Sequence, residues 1–357
     1  MASEPTTHSK THSVVVSARG ETREFACAED ERILYAGLRA GLPLPYECAS
    51  GTCGTCKAAV NEGTTLYAWD AAPGRKYTRA ERNEVLTCQS FALSALTLTL
   101  PGAFVAKPAR IAPEYFSGTM ARSRLLVPDV IEFDVELNHP MSFDAGQFVL
   151  LEVEDVRGAR SYSMVNFEPE SRVLRFLVKR FPGGALTEWM FSHPLDGTQV
   201  RIFGPLGRAS FDSDEIRHVV CIAGGSGIAG MMSILESGKR DDHFDRHDMR
   251  VFFGVRTLQD AFYLDELKAH ARRFSDRMRI TLGLSHEEPS EAARVQHPEL
   301  EFDQGFIHEI VKRALAESPA ETTIYVAGPP PMVDATLRML LLELKHSGSQ
   351  IRYDKFS

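Results

Sequence analysis

The sequence predicts three consecutive folding units: a small α+β unit, an antiparallel β-barrel and a parallel-sheet α/β unit. Three observations carry that expectation. Residues 13–102 combine short alternating strands with one helix around a loop rich in cysteine and glycine. Residues 110–212 give strands separated by turns, with little helical periodicity. Residues 213–357 alternate apolar strands with helical stretches, the rhythm of a parallel sheet covered on both faces. A polar tail, residues 1–12, precedes the first unit, and a linker, residues 103–109, follows it. At 357 residues the chain has room for three separate cores.

Within the first unit, Ser13–Ala18 and Glu21–Ala26 read as a hairpin turning at Arg19-Gly20. Glu31–Gly41 has helical periodicity and stops before Pro43. Lys57–Val60 and Thr64–Tyr67 read as strand, turn and strand about Asn61-Glu62-Gly63, and Ala95–Leu100 closes the unit. In the second unit the strand candidates are Ala121–Leu126, Val130–Leu137, Gln147–Val153, Val173–Lys179 and Thr198–Phe203. In the third, His218–Ala223 leads through a glycine turn into a helix from about Ala229. Met249–Gly254, Met278–Leu284 and Thr323–Ala327 supply further strands.

Composition is that of an ordinary globular protein. A net charge of −8 argues against nucleic acid as a partner. No apolar run approaches the roughly 20 residues that span a bilayer, and the polar start of the chain lacks a secretory signal's apolar segment. The expectation is a cytoplasmic monomer with no membrane contact. In such a reducing setting six cysteines favour metal ligation over disulfides.

Cys48, Cys53, Cys56 and Cys88 read C-x4-C-x2-C followed by a distant fourth cysteine. That is the plant-type spacing for a [2Fe–2S] cluster. The small residues between them let the backbone wrap closely and turn its N–H groups toward the sulfurs. Zinc is the alternative metal, although a zinc site usually shows paired C-x2-C units and one such pair is present. Cys27 and Cys221 lie in apolar surroundings and read as small buried hydrophobes.

Arg160-Ser161-Tyr162-Ser163 is R-x-Y-S. An arginine pairs with phosphate through two N–H groups, a tyrosine offers a flat face to a planar ring, and a serine hydroxyl hydrogen-bonds. Phe181-Pro182-Gly183-Gly184-Ala185-Leu186-Thr187 follows, placing two glycines before a short helix whose N–H groups suit an anion. Phe203-Gly204-Pro205-Leu206-Gly207 reads as a structural turn. Ala223-Gly224-Gly225-Ser226-Gly227-Ile228-Ala229-Gly230 contains G-x-G-x-x-G between a strand and a helix, the setting of a pyrophosphate-binding turn. The acidic residue usually found about 20 positions later is not evident.

Together these motifs resemble the ferredoxin–NADP reductase superfamily, preceded by a β-grasp domain like that of plant-type ferredoxins. Nearly the whole chain after the tail is similar to the reductase components of bacterial Rieske-type ring-hydroxylating dioxygenases and multicomponent monooxygenases. The resemblance implies a ferredoxin domain, a flavin barrel and a nucleotide domain, with [2Fe–2S], FAD and NADH (or NADPH) as cofactors. By it, Cys48, Cys53, Cys56 and Cys88 hold iron. Arg160, Tyr162, Ser163, Gly183, Gly184 and Thr187 hold the flavin. Gly224, Gly225, Gly227, Ile228, Arg256, Gly328, Pro329 and Met332 hold the nicotinamide cofactor. Tyr162, Ser163, Asp354 and Phe356 border the reacting ring.

Two departures from the family pattern stand out. Gly230 replaces a proline, and Ala327 replaces a cysteine before Gly328-Pro329-Pro330-Pro331-Met332. The function implied is electron transfer from NAD(P)H through FAD and the cluster to a terminal oxygenase or a small ferredoxin. A nicotinamide gives two electrons as hydride and a [2Fe–2S] cluster takes one, so a flavin must stand between them. The rival readings are an iron–sulfur flavoenzyme that reduces a small substrate itself, as in sugar deoxygenation, a redox-sensing module, and an electron-transfer subunit of a permanent complex.

Overall fold

The computed structural model describes residues 9–105, 110–215, 217–315 and 321–355. The first unit is a five-stranded sheet in the order Glu21–Ala28, Thr11–Ala18, Leu96–Thr99, Lys57–Glu62, Glu84–Leu86. Its first strand begins inside the stretch read as tail. The hairpin turns at Arg19-Gly20, both at positive φ. The closing strand runs parallel to the first, with Val14 opposite Leu96, and buries Val14, Val16, Leu96 and Leu98 in one core with Ile33 and Leu34 of the helix.

That helix is Ile33–Arg39, shorter than the periodicity predicts. Glu31 instead accepts from both Nε and Nη2 of Arg39, and Arg32 bridges to the Phe91 backbone. Lys57–Glu62 and Thr65–Tyr67 are both strands but do not form a hairpin. The second pairs with Ser90–Ala92 in a separate two-stranded sheet. Gly63 allows the divergence: at φ +94°, a Cβ there would lie 2.2 Å from the Ala95 carbonyl.

The second unit is a six-stranded antiparallel sheet. Its order is Arg160–Ser163, Phe148–Val153, Gln199–Leu206, Glu114–Val127, Val130–Met141, Ser171–Lys179. A bridge between Met164 and Phe176 joins the two ends into a barrel. The sequence predicts five of these strands and starts the first at Ala121 instead of Glu114. The sixth, Arg160–Ser163, is too short and polar to show an alternating pattern. Phe203-Gly204-Pro205-Leu206 continues a strand where a turn is predicted, and the turn comes at Gly207, φ +98°.

The third unit is a parallel sheet in the order Glu301–Gln304, Met278–Leu284, Met249–Val255, His218–Gly224, Thr322–Gly328, Ile351–Lys355. The two outermost strands are not predicted; both are short, charged edges. The order reverses between His218–Gly224 and Thr322–Gly328, which opens a crevice at their carboxyl ends, where α/β sheets bind ligands. Barrel residues Val130, Ala145, Val165 and Leu177 share a core with Ile228 and Met231 of this unit. Among the described residues no helix is long and apolar enough to cross a membrane.

Candidate functional site

The cysteine loop is shaped by Ala49, Gly51 and Gly54, all at positive φ. It is tied down by Gly74 N–H to the Gly51 carbonyl at 2.8 Å and by Thr87 Oγ1 to the Cys56 carbonyl at 2.8 Å. Cys88 arrives on the turn Thr87–Gln89, after the edge strand Glu84–Leu86. The four thiols stand as two pairs: Cys48 and Cys53 sulfurs are 3.2 Å apart, as are those of Cys56 and Cys88.

Among the described residues no three His, Cys, Asp or Glu side chains gather as ligands of one metal ion. Two pairs of thiols suit a two-iron cluster, one pair per iron, better than a single zinc. Burial and the neighbouring Cys56 sulfur push the Cys88 thiol well up, so a metal's charge is what makes a thiolate tenable there. Cys27 and Cys221 are fully buried, in the first and third cores.

A cavity of about 850 Å³ starts at this loop and runs along the barrel into the crevice of the third unit. Cys48 and Ser50 line one end, Arg160 to Ser163 the middle, and Gly224, Gly225, Gly328, Pro329 and Met332 the far part. Strand Arg160–Ser163 is held in register by Phe148–Val153, with Val149 opposite Tyr162. Burial pushes the Tyr162 phenol up, so it stays neutral. The Arg160 guanidinium lies 5.3 Å from the Trp69 ring centroid and donates to the Ala159 carbonyl.

Gly184 caps the helix Ala185–Ser192. The Thr187 hydroxyl sits 3.1 Å from the Phe181 and Gly184 carbonyls and accepts from Phe181 N–H, closing the loop on itself. Gly184 and Thr187 line the cavity; Gly183, at φ +77°, shapes the turn without lining it.

Gly225–Gly227 is a tight turn into the helix Ile228–Arg240. A Cβ on Gly227 would lie 2.3 Å from the Ala327 carbonyl, and one on Gly224 would lie 2.8 Å from Met332 Cε. These glycines let two parallel strand ends close on one another. Gly227 and Ile228 lie behind the cavity wall, Ile228 fully buried. Arg256 is exposed, lines the cavity and precedes a capping box in which Thr257 and Asp260 bond reciprocally.

Asp354, on the edge strand Ile351–Lys355, is not among the cavity-lining residues. Its carboxylate lies 3.7 Å from where a Cβ on Gly207 would stand. Burial first, then the Glu47 carboxylate, push its pKa up to about 7, with Arg208 opposing. Phe356 lies outside the described residues. Sequence reasoning passed over Ser161, the variable position of the motif. Its hydroxyl donates to the Cys48 carbonyl at 2.6 Å and so joins the barrel to the cysteine loop.

Comparison with known proteins agrees with this layout. Residues 16–93 match a 2Fe-2S iron-sulfur cluster binding domain, 118–211 an oxidoreductase FAD-binding domain and 221–338 an oxidoreductase NAD-binding domain. The ferredoxin–NAD(P)+ reductase CarAd of Metapseudomonas resinovorans is 33% identical over 88% of this chain and 92% of its own. The ferredoxin–NAD+ reductase component of the alkene monooxygenase system of Xanthobacter autotrophicus is 32% identical over 94% and 98%. A solved ferredoxin reductase of carbazole 1,9a-dioxygenase superposes with a TM-score of 0.82 at 31% identity, covering 98% of this chain and all of that one. The chain belongs to the ferredoxin–NAD(P)+ reductases that form the reductase components of dioxygenase and monooxygenase systems, oxidoreductases built on [2Fe–2S], FAD and NAD domains.

Proposed function

We propose that this chain delivers electrons from NADH, with NADPH the alternative donor, to a separate terminal oxygenase or its small ferredoxin, for oxygenation of an aromatic or related hydrocarbon. The observation that carries the reading is the single cavity that begins at Cys48 and ends at the glycine turn of the nucleotide unit. A flavin-sized ligand held in it would border both a cluster ligand and a dinucleotide turn. The named relatives, which serve carbazole and alkene oxygenation, support the partner class.

In this reading the first unit spans residues 11–102, two residues earlier than the sequence suggests, the second 110–212 and the third 213–357. The four cysteines hold the iron, one pair per iron. When bound, the flavin takes two electrons together and releases them singly. Tyr162 presents a flat face to its ring, and Ser163, which is 7% exposed, presents a hydroxyl. Arg160, now over Trp69, would pair with phosphate, and the N–H groups opening helix Ala185–Ser192, with Thr187, would complete that anion site. The turn at Gly224–Gly227 and the start of helix Ile228–Arg240 receive the dinucleotide phosphates. Leu177, Leu186 and Ile307 supply apolar wall that keeps water from the reacting groups.

Replacing Cys53 with serine tests the order of carriers. NADH-driven reduction of a dye that takes electrons from the flavin is expected to persist within about twofold, while cytochrome c reduction falls at least about a hundredfold. Equal loss of both activities would overturn the order.

A further inference from the structure

The cysteine loop has one side that is covered and one that is not. The covered side faces the barrel: Ser161 Oγ donates to the Cys48 carbonyl, Arg160 lies over Trp69, and Gly207 N–H donates to the Tyr46 hydroxyl at 3.1 Å. Cys48 and Ser50 line the cavity there, whereas Cys53, Gly54 and Tyr77 do not. Of the four cysteines Cys53 alone is partly exposed. Tyr77 packs on Gly54, so that a Cβ there would lie 2.7 Å from its ring, and still keeps 49% of its surface in solvent. Lys57 Nζ donates to the Tyr77 carbonyl at 2.9 Å.

Tyr77 lies within Arg75-Lys76-Tyr77-Thr78-Arg79-Ala80-Glu81-Arg82, which holds four cations and one acid in a chain of net charge −8. Every residue of the run is exposed or half-exposed. Lys76 lies over the Tyr77 ring at 5.0 Å. Arg75 is matched by Asp70, and Lys57 by Glu84, which also accepts from Arg79 N–H; Lys76, Arg79 and Arg82 then stand against Glu81 and leave the run net positive. A local field opposite in sign to the whole molecule selects and orients partners.

We propose that the basic run 75–82, with Tyr77 at its centre, is the docking surface for an acidic face of the electron-accepting protein. Electrons then enter the cluster from the Cys48 side and leave past Cys53. The proposal rests on the reading that a separate protein takes electrons from the cluster.

The test uses two one-electron probes of opposite charge, acidic cytochrome b5 and basic cytochrome c, with the holoprotein at low and high salt. Compared are the unaltered chain, the triple variant Lys76→Glu, Arg79→Glu, Arg82→Glu, and a control with the same charge change placed elsewhere: Arg172→Glu, Arg279→Glu, Arg338→Glu. Equilibrium binding of oxidised cytochrome b5 is measured as well as both reduction rates. At low salt the triple variant is expected to weaken cytochrome b5 binding and slow its reduction by about tenfold or more. Cytochrome c reduction should rise, salt should erase these differences, and the control should behave as the unaltered chain.

Binding and rates equal in the triple variant and the control, with the cluster still bleached by NADH, would overturn the docking surface and leave the carrier reading standing. A cluster that NADH does not reduce in the unaltered protein would overturn both.

Discussion

The barrel meets its two neighbours in different ways. Toward the cluster unit the seam is closed. Tyr35 stacks on Phe203 with ring centroids 4.7 Å apart, and Arg32, 5% exposed, pairs with Glu152 at 3.4 Å. Ser161 reaches the Cys48 carbonyl. Toward the nucleotide unit, Val130, Ala145, Val165 and Leu177 pack with Ile228 and Met231, and Gly146 N–H to Ser233 Oγ and Tyr263 hydroxyl to Glu132 are among the polar contacts; beside them a crevice is left open. The difference matches what crosses each seam. A single electron needs a short distance that does not change, whereas a dinucleotide must enter and leave. Both seams are packed, and the second carries in addition a crevice open to a dinucleotide.

Breaking the closed seam gives the largest expected effect. Replacing Arg32 with alanine leaves Glu152, among the described residues, with the Arg201 guanidinium 3.6 Å away, and removes the donor to the Tyr35 hydroxyl. A stability loss of about 3–5 kcal/mol is expected in denaturant unfolding. NADH-to-dye turnover should survive wherever the protein is folded. A loss below about 1 kcal/mol would mean that the pair does not hold the seam.

Asp354 sharpens the comparison where the three units meet. Its pKa rises from 3.8 to about 7 through burial first and Glu47 second, while Arg208 opposes and the Tyr46 hydroxyl lies in the same field. The folded state thus holds a proton that the unfolded state releases, and stability falls as pH rises from about 4 to about 7. Asp354→Asn should remove that fall, with a gain over the unaltered protein on the order of 4 kcal/mol at pH 8 and little at pH 4. Parallel melting curves across this range would refute the assignment.

The smallest effect is expected at Ser161. Ser161→Ala removes one hydrogen bond, worth about 0.5–1.5 kcal/mol, and should hardly move the melting temperature. Hydrogen exchange at the backbone of residues 46–56 should quicken, and Ser161→Thr should restore it. Unchanged exchange in the alanine variant would show that the loop is held without the barrel.

How far the sequence foretold this arrangement depends on what kind of signal each part carries. The cysteine spacing is legible because metal geometry demands those residue types at those intervals. The glycine turn is legible because its place between strand and helix is local. Most of the residues singled out for the flavin and the nucleotide line the cavity, Gly183, Gly227, Ile228 and Asp354 do not, and of the four cysteines Cys48 alone reaches it. The seams are another matter. Arg32 and Glu152, or Ser161 and Cys48, lie 120 and 113 positions apart, and no periodicity announces such a pair. The edge strands Glu301–Gln304 and Ile351–Lys355 carry charged side chains that mask their alternation, as edges do to avoid unwanted pairing. Thr65–Tyr67 has strand-forming residues, yet its partner was chosen by Gly63 and the Ala95 carbonyl, not by proximity in sequence.

The central claim is that one chain holds two redox groups in series across a closed seam. Its most direct test is an anaerobic NADH titration of the holoprotein followed by absorption. The account predicts that the flavin band near ~450 nm and the broader iron–sulfur absorption both bleach, with about 1.5 NADH per chain supplying two electrons to the flavin and one to the cluster. Bleaching of the flavin alone, with the cluster left oxidised, would contradict it.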